Sequence, residues 1–548
     1  PSTLNVNGDA TTGYVQVSGG GVVNLNAGTL TASTLDAYSP GSIVRAAGHY
    51  AVNSLSLTNG ATLDYTTGDS VTTSVSVGAA STFTLDQNLA ISGALGLSNG
   101  GSIARTTQSI SAASFDVYDS TLALGSSDTF SPTGYGYVRS GGVVSVPAGV
   151  TLGHVQIYGV NGSSAPARLD VNGATTAASI DAWSSGVVNV NADLGLTDDT
   201  NISSGGVLNL NAGTLSTRSL FLSGAGSAVQ NGGHYAVGSG SLTLSNGATL
   251  GYGPGDSVTT EVNLQGGSTL TLAQNLALTG PLYLTDGGSI TRTTQSISAY
   301  NVAIQRAMLA LAAADTFNPA AYSYVAYGAV VSTAAGSTLG HVQVYGVNGS
   351  SAPATLDVNG DTTATSVAAW SSGVVNLHSG THATADLSLS DVGSVTQTGG
   401  HYAVTNLWLS GGATLGYGPA DSVDTLSING AGSLLDEFSP LSLASLSVAN
   451  GGVLRLDSFT GSGAVSNWGL RVDGDQSSYL NTLILGNLIT GPSLQVVYDS
   501  GSNFTYITTS SAPVPEIDPA SGLSALSLAM GALGLLERRG RRRTSARA

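Results

Sequence analysis

The chain has 548 residues, no cysteine and a formal net charge of −17 at pH 7. The lack of cysteine excludes disulfide frameworks, thiolate metal sites and cysteine nucleophiles. The acidic balance disfavours nucleic acid and anionic membrane surfaces as partners. Only 9% of the residues are charged while 41% are hydrophobic, and this combination indicates a folded chain rather than a disordered one.

The body of the chain is a long internal repeat. Leu152–Pro166 returns with one substitution at Leu339–Pro353, 187 positions further on. Residues 1–165, 166–352 and 353–462 are therefore predicted to be three repeat units, the last of them partial. The first unit opens within the pattern at Pro1, and we expect further sequence upstream of it.

A finer period of 20 residues runs inside each unit. Apolar residues recur in columns, one of which is Leu55, Val75, Leu95 and Phe115. Apolar and polar residues alternate around each column, and Gly or Asn-Gly follows, which predicts short strands joined by tight turns. Gly186–Gly233 is 20 residues longer than its equivalent Gly21–Gly48. A solenoid absorbs such an insertion as one extra coil.

These features predict an all-β fold, a single-stranded parallel β-helix with coils of about 20 residues. A helical solenoid is disfavoured because Gly, Thr, Ser and Val dominate and the apolar spacing is two. Roughly 20 to 23 coils stacked about 4.8 Å apart would form a stiff rod. Recurrent asparagines, as in Asn209-Leu-Asn211, are expected to form side-chain ladders at the turns.

The end of the chain departs from the repeat. Residues 463–509 are predicted to be a small C-terminal β cap, and residues 510–548 a linker and a tail. In the tail, the apolar run Gly522–Leu536 predicts a hydrophobic helix of about 22 Å. This is short for a bilayer core of about 30 Å, and a buried core helix is the alternative. The arginine cluster after the run would stay on the cytoplasmic side of the inner membrane, with the body exported.

Three parts of the tail form a recognisable signal: a Pro-rich start, the apolar run and the arginine cluster. The residues concerned are Val514, Pro515, Glu516, Pro519, Arg538, Arg539, Arg541, Arg542 and Arg543. They resemble the PEP-CTERM sorting signal of exopolysaccharide-producing bacteria, although Ile517-Asp518 interrupts the Pro-Glu-Pro motif. The resemblance implies a transient partner, a membrane protease of the exosortase type, and a final place in the cell envelope, at the surface or outside the cell.

The repeat body resembles the passenger domains of autotransporter adhesins. The leading hypothesis is therefore a non-enzymatic surface or matrix protein, active in adhesion or biofilm and associated with polysaccharide. Repeat-equivalent aromatic residues are the candidate glycan contacts, namely Tyr158, Tyr345, Trp183 and Trp370. Their alternative role is packing in the core or in turns. No catalytic, cofactor-binding or metal-binding residue is assigned, and no cofactor is expected.

The alternative hypothesis is a β-helix polysaccharide lyase or glycoside hydrolase, which would need clustered carboxylates. The adjacent pair Asp198-Asp199 lies in the extra coil and is the candidate for that chemistry. Uniform repetition argues against it, because a single active site should break the repeat. His378 and His382 have metal-ligand spacing for a helix, but Ser379-Gly380 disfavours a helix there. Weak Ca²⁺ binding is considered at two clusters, Asp357 with Asp361 and Asp473 with Asp475.

Overall fold

The computed structural model describes residues 2–39, 41–159, 165–346, 352–437, 439–456 and 468–509. These residues form an all-β parallel β-solenoid of about 22 turns, which confirms the predicted fold class. Contacts divide the chain into two compact units. The first unit contains Pro1–Ala383 and Gln397–Gly400, and the second contains Thr384–Thr396 and His401–Ala548.

Short strands follow one another at every turn of the coil. Up to residue 165 they are β1 Thr3–Asn7, β2 Ala10–Val17, β3 Val22–Ala27, β4 Thr29–Tyr38, β5 Ser42–Arg45, β6 His49–Thr58, β7 Thr62–Tyr65, β8 Ser70–Gly78, β9 Thr82–Leu85, β10 Leu89–Ala90, β11 Ala94–Ser98, β12 Ser102–Ala104, β13 Ile110–Ala112, β14 Ser114–Tyr118, β15 Thr121–Ala123, β16 Thr129–Phe130, β17 Tyr135–Arg139, β18 Val143–Val146 and β19 Thr151–Tyr158.

The next repeat of the sequence continues the same succession of strands. They are β20 Arg168–Val171, β21 Thr175–Trp183, β22 Val187–Val190, β23 Leu194–Leu196, β24 Thr200–Ser203, β25 Val207–Leu210, β26 Thr214–Thr217, β27 Leu220–Ser223, β28 Ser227–Gln230, β29 His234–Val237, β30 Ser241–Ser245, β31 Thr249–Tyr252, β32 Ser257–Val258, β33 Glu261–Gln265, β34 Thr269–Leu272, β35 Leu276–Ala277, β36 Leu282–Thr285, β37 Ser289–Thr291, β38 Ile297–Ala299, β39 Val302–Gln305, β40 Met308–Leu311, β41 Thr316–Phe317, β42 Tyr322–Ala326, β43 Val330–Ala334 and β44 Thr338–Tyr345.

The remaining described residues contain further strands and one helix. They are β45 Thr355–Asn359, β46 Thr362–Trp370, β47 Val374–Ser379, β48 Thr381–Leu389, β49 Ser394–Gln397, β50 His401–Ser410, β51 Thr414–Tyr417, β52 Ser422–Asn429, β53 Leu434–Glu437, β54 Leu441–Leu443, β55 Ser445–Ala449, β56 Val453–Arg455, β57 Leu470–Asp473, α1 Ser477–Leu485, β58 Ile489–Thr490, β59 Leu494–Asp499 and β60 Phe504–Thr509.

In the first unit, strands pair in parallel with the equivalent strands of neighbouring coils. Leu55 aligns with Val75, Val75 with Leu95, and Leu95 with Phe115. All four side chains are buried. The predicted 20-residue columns are therefore the inward side chains of successive coils, and their stacking forms the core. Outward side chains alternate with them and form the surface.

Asparagine ladders join the coils on the outer surface of the first unit. The side-chain amide of Asn211 donates to Asn191 over 2.8 Å, and that of Asn231 donates to Asn211 over 2.9 Å. A second row joins Asn209 to Asn189 over 2.8 Å. The predicted ladders are thus present, but Asn189 and Asn209 lie within β22 and β25 rather than at turns.

Buried aspartates fasten the turns, and we call each of them an Asp clasp. Asp128 accepts the backbone N–H of Gly125 in its own turn and that of Ile110 in the neighbouring coil, both over 2.8 Å. Arg105 completes this clasp with two hydrogen bonds of 2.6 Å. Because the carboxylate is buried, these partners are needed to offset its loss of hydration.

The same arrangement recurs at several turns. The residues that occupy the clasp position are Asp69, Asp128, Asp256, Asp315 and Asp421, all of them buried. Arg292 pairs with Asp315 as Arg105 does with Asp128. The repeat-equivalent positions of Arg105 and Arg292 therefore reflect a structural role.

The second unit also begins as a stack of parallel strands and then changes. Leu407 of β50 aligns with Leu426 of β52, which aligns with Leu446 of β55. Further on, β57 pairs in parallel with β54, while β60 pairs antiparallel with both β57 and β59. The nine-residue helix α1 lies in the segment for which the sequence indicated only strands.

Candidate functional site

The structure brings the candidate glycan contacts together as two stacked pairs in the first unit. Tyr158 ends β19 and Trp183 ends β21, and the two residues are register partners. Their ring centroids are 4.9 Å apart with an interplanar angle of 6°. Tyr345 and Trp370 repeat this geometry at 5.1 Å and 5°. All four side chains are half-buried and lie outside the core, and packing at the turns stays the alternative role.

Strand alternation and a tight turn fix the position of each stack. In β19, Val155 and Ile157 are buried, so the next residue, Tyr158, points outward. After Trp183 the chain turns through two serines with positive φ and Gly186. A Cβ on Gly186 would lie 2.1 Å from the carbonyl oxygen of Ile157. Only glycine permits this close approach, which brings the coil around directly behind the indole.

The outward residues of β19, β21 and β24 form one surface, which we call the Trp183 face. Its members are His154, Gln156, Tyr158, Ser179, Asp181, Trp183, Asn201 and Ser203. His154 Nδ1 lies 2.8 Å from Ser179 Oγ, and the imidazole stacks on Tyr135 at 5.1 Å. The face therefore places aromatic rings beside a row of hydrogen-bonding side chains, the combination that sugar hydroxyls and their apolar ring faces require.

An ion pair borders the Trp183 face on the β17 side. Arg139 contacts the Asp116 carboxylate at 2.7 Å, and its guanidinium lies 5.3 Å from the centroid of the Tyr137 ring. Burial raises the pKa of Asp116, and the charge of Arg139 opposes this rise. Arg139 is thus already neutralised by its neighbours.

Asp181 lies in the middle of the Trp183 face without a hydrogen-bond partner for its carboxylate among the described residues. Its register neighbours are Gln156 and Asn201. Burial raises the pKa of Asp181; His154 opposes the rise, and the charges of Asp199 and Asp198 add to it. This half-buried carboxylate is therefore free to accept a hydrogen bond from a ligand, while Asp116 Oδ1 and Arg139 Nε beside the face are buried without a hydrogen-bond partner among the described residues.

The structure places Asp198 and Asp199 beside this face. Arg218 contacts both carboxylates at 2.7 Å. Hydrogen bonding to Arg218 lowers the pKa of Asp199. The pair is therefore held in an exposed ion-pair cluster. Asp181 on β21 has a raised pKa and Asp199 in the turn before β24 has a lowered one, which is also the division that acid–base catalysis uses.

A second surface, which we call the Trp370 face, repeats the first 187 positions later. Tyr322 stacks on His341 at 4.8 Å, and His341 Nδ1 lies 2.6 Å from Ser366 Oγ. Three charged positions in or beside the first face are occupied by alanine here, because Asp116, Arg139 and Asp181 correspond to Ala303, Ala326 and Ala368. The two faces share their aromatic residues but differ in charge.

Both faces lie in the same column of the same sheet of the first unit. The register steps from Tyr158 through Trp183, Ser223 and Thr285 to Tyr345 along nine successive strand pairings. Nine steps of about 4.8 Å separate the two stacks by about 43 Å along the axis. A single extended polymer is therefore long enough to contact both.

The other sequence candidates have structural partners. His378 and His382 lie in different strands, β47 and β48, so they do not share a helix face. Asp357 accepts a hydrogen bond of 2.8 Å from Asn376, and Asp361 accepts one of 2.8 Å from the backbone N–H of Thr381. No group of three or more potential metal ligands is found among the described residues.

The sorting-signal residues Val514 to Arg543 and the apolar run Gly522–Leu536 lie outside the described residues. In the part of the chain that is described, no helix has both the length and the apolar character needed to cross a membrane.

Comparison with known proteins found no match to a protein-family model, a curated protein or a solved structure. The class of the molecule is accordingly that of its fold, a parallel β-solenoid.

Proposed function

We propose that this chain is an exported structural protein of the cell surface or extracellular matrix that binds polysaccharide through the Trp183 face and the Trp370 face. The observation that carries the proposal is the recurrence of one Tyr–Trp stack at the same register position. The duplicated sequence has kept the whole outward arrangement, with a ring spacing near 5 Å, near-parallel planes and the same His–Ser and Gln neighbours. Weak contacts at two places on one chain strengthen each other through effective concentration.

The proposal assigns two further roles outside the faces. One role is that of a cap that terminates the parallel stack, formed by the antiparallel strands β57, β59 and β60 together with α1. A cap is needed because an uncovered strand edge invites pairing with another chain. The PEP-CTERM-like tail acts as a transient export handle, which an exosortase-type protease removes. The intact mass of the native surface protein tests this role, since a mature species that retains Arg538 to Arg543 would contradict it.

Polysaccharide binding is tested with tryptophan variants of the full chain. In a gel-retardation assay with neutral and charged polysaccharides, Trp183→Ala with Trp370→Ala should abolish retardation, because each indole contributes stacking area. The matched control is Trp408→Ala, since Trp408 is an outward tryptophan, 40% exposed, that belongs to neither face. Equal loss in the control, or no loss in the double variant, would contradict the proposal.

The alternative is a glycoside hydrolase in which Asp181 donates a proton to the leaving oxygen and Asp199 activates water or attacks the sugar. The opposite directions of their pKa values favour this assignment. Incubation with the same polysaccharides should release no new reducing ends if the protein only binds them. Release that disappears in both Asp181→Asn and Asp199→Asn would establish the enzyme instead.

A further inference from the structure

We infer that the Trp183 face selects polysaccharides that carry cationic groups, such as the ammonium group of an amino sugar, whereas the Trp370 face does not select by charge. The inference rests on the proposed polysaccharide binding and names the ligand class of one face. It follows from the difference in charge between two surfaces that share the same aromatic residues. One charged residue of the first face, Asp181, and two that border it, Asp116 and Arg139, are replaced by alanine in the second.

Asp181 supplies the carboxylate that would bind the cationic group. Asp181 is half-buried, and no described residue donates a hydrogen bond to it, although Gln156 and Asn201 lie beside it in register. Asp198 and Asp199 add negative potential from the turn between β23 and β24. A cation bound at this position would gain attraction from all three carboxylates and would replace the hydration that burial removes from Asp181.

The two neighbouring arginines are not available to bind an anionic sugar. Arg139 is paired with Asp116 and packs on Tyr137. Arg218 is paired with both Asp198 and Asp199. Four carboxylates and two guanidinium groups therefore lie in or around the face, and both guanidinium groups are already paired. The remaining potential is negative, so anionic sugars are repelled and cationic sugars are attracted.

The Trp183 indole supplies the aromatic contact. One face of the Trp183 ring is covered by Tyr158, with the ring planes only 6° apart. The pairing of Ala182 with Ile202 puts the next residue of β24, Ser203, on its other side, and a serine side chain is too short to cover an indole. Among the described residues, a ligand there meets an open aromatic face, and Asp181 lies two residues away on the same side of β21. An aromatic face and a carboxylate at neighbouring outward positions suit an ammonium group, through cation–π attraction and a charge-assisted hydrogen bond.

The test compares three polymers with the full chain: soluble chitosan at pH 6 as the cationic probe, hydroxyethyl cellulose as the neutral probe and alginate as the anionic probe. Wild type should bind chitosan more tightly than hydroxyethyl cellulose, and alginate least. Asp181→Asn should weaken chitosan binding about five-fold, as expected for one partly exposed charge pair, and leave the neutral polymer unchanged. Ala368→Asp should strengthen chitosan binding, because it copies the carboxylate into the second face.

Non-specific attraction of a polycation to this acidic chain is controlled with Asp64→Asn, which removes one charge from β7, on a different sheet. If Asp64→Asn weakens chitosan binding as much as Asp181→Asn, or if Asp181→Asn has no effect, the inference is wrong. If neutral polymer binds and depends on Trp183 and Trp370 while chitosan is not preferred, only the charge selection fails. If no polymer binds, the proposed function itself fails.

Discussion

At the scale of single residues, two buried ionisable side chains occupy positions that are leucine elsewhere in the repeat. His382 is the equivalent of Leu30, and Glu437 is the equivalent of Leu85 and Leu272. Both side chains are buried, and His382 Nε2 and Glu437 Oε2 have no hydrogen-bond partner in the described part of the chain. Each position therefore replaces a favourable apolar contact with a group whose charge is costly to bury.

His382 should make the first unit sensitive to acid. Burial lowers the pKa of His382 from 6.5 to about 4, so the folded chain keeps the imidazole neutral while the unfolded chain protonates. Stability is therefore lost as pH falls from about 6.5 to about 4, by roughly 3 kcal/mol. The double variant Thr362→Ala with His382→Leu copies the paired residues Ala10 and Leu30. Over this range its free energy of unfolding should fall by about 3 kcal/mol less than that of the wild type.

Urea unfolding at pH 7 and pH 4.5 provides the measurement. The single variant His382→Leu is the control for the hydroxyl of Thr362, which lies 2.6 Å from His382 Nδ1 and would be left buried and unpaired. It should show the same reduced loss of stability on acidification, with less gain in stability than the double variant. The same loss of stability on acidification in all three proteins would contradict the role of His382.

Glu437 should act in the opposite direction in the second unit. Burial, with a smaller contribution from Asp436, raises the pKa of Glu437 from 4.5 to about 8. The folded chain holds the proton that the unfolded chain releases, so stability is lost as pH rises from about 4.5 to about 8. Glu437→Leu, which restores the Leu85 arrangement, should raise the unfolding midpoint, and by more at pH 8 than at pH 5. An equal rise at both values would show that the side chain titrates normally.

At the scale of elements, the turn after β21 should be the most sensitive part of the Trp183 face. Gly186→Ala places a Cβ against the carbonyl oxygen of Ile157 and displaces the turn that follows Trp183. We expect a loss of about 1–3 kcal/mol in stability, as for other overpacked sites. The control is Gly195→Ala in β23, where the nearest contact of the new Cβ is 3.8 Å away. Thermal unfolding compares the two, and similar losses would contradict the argument.

The elements also show what the sequence could and could not predict. The 20-residue columns predicted the strand register, because a solenoid forces equivalent residues to stack. The helix α1 was missed because its buried residues, Leu480 and Leu483, show only one helical step within nine residues. The Asp clasps and the central position of Asp181 were missed because both depend on which side chains meet across coils. Alignment of the repeats could have revealed His382 and Glu437, since each replaces a repeated leucine.

At the scale of the whole molecule, the extra coil should be removable. Deletion of residues 189–208 joins Val188 to Asn209 and recreates the nine-residue sequence found at Val22–Leu30. Because Val188 and Leu208 are already register partners, the shortened stack should close without a gap. We expect cooperative thermal unfolding with a midpoint within about 5 °C of wild type. Far-UV circular dichroism provides the measurement, and aggregation or a broad transition would contradict a solenoid that tolerates loss of one coil.

The Asp clasps also determine how the molecule responds to mechanical force. A chain pulled from its ends releases its outermost coil first, since each coil in the stack contacts mainly its neighbours. A coil without an Asp clasp is held to its neighbour by backbone hydrogen bonds, side-chain packing and the asparagine ladders. At Asp128 and Asp315, however, a buried carboxylate must separate from an arginine and from the backbone of another coil before peeling can continue. Extension should therefore pause at these positions, so that under tension the protein lengthens in discrete steps.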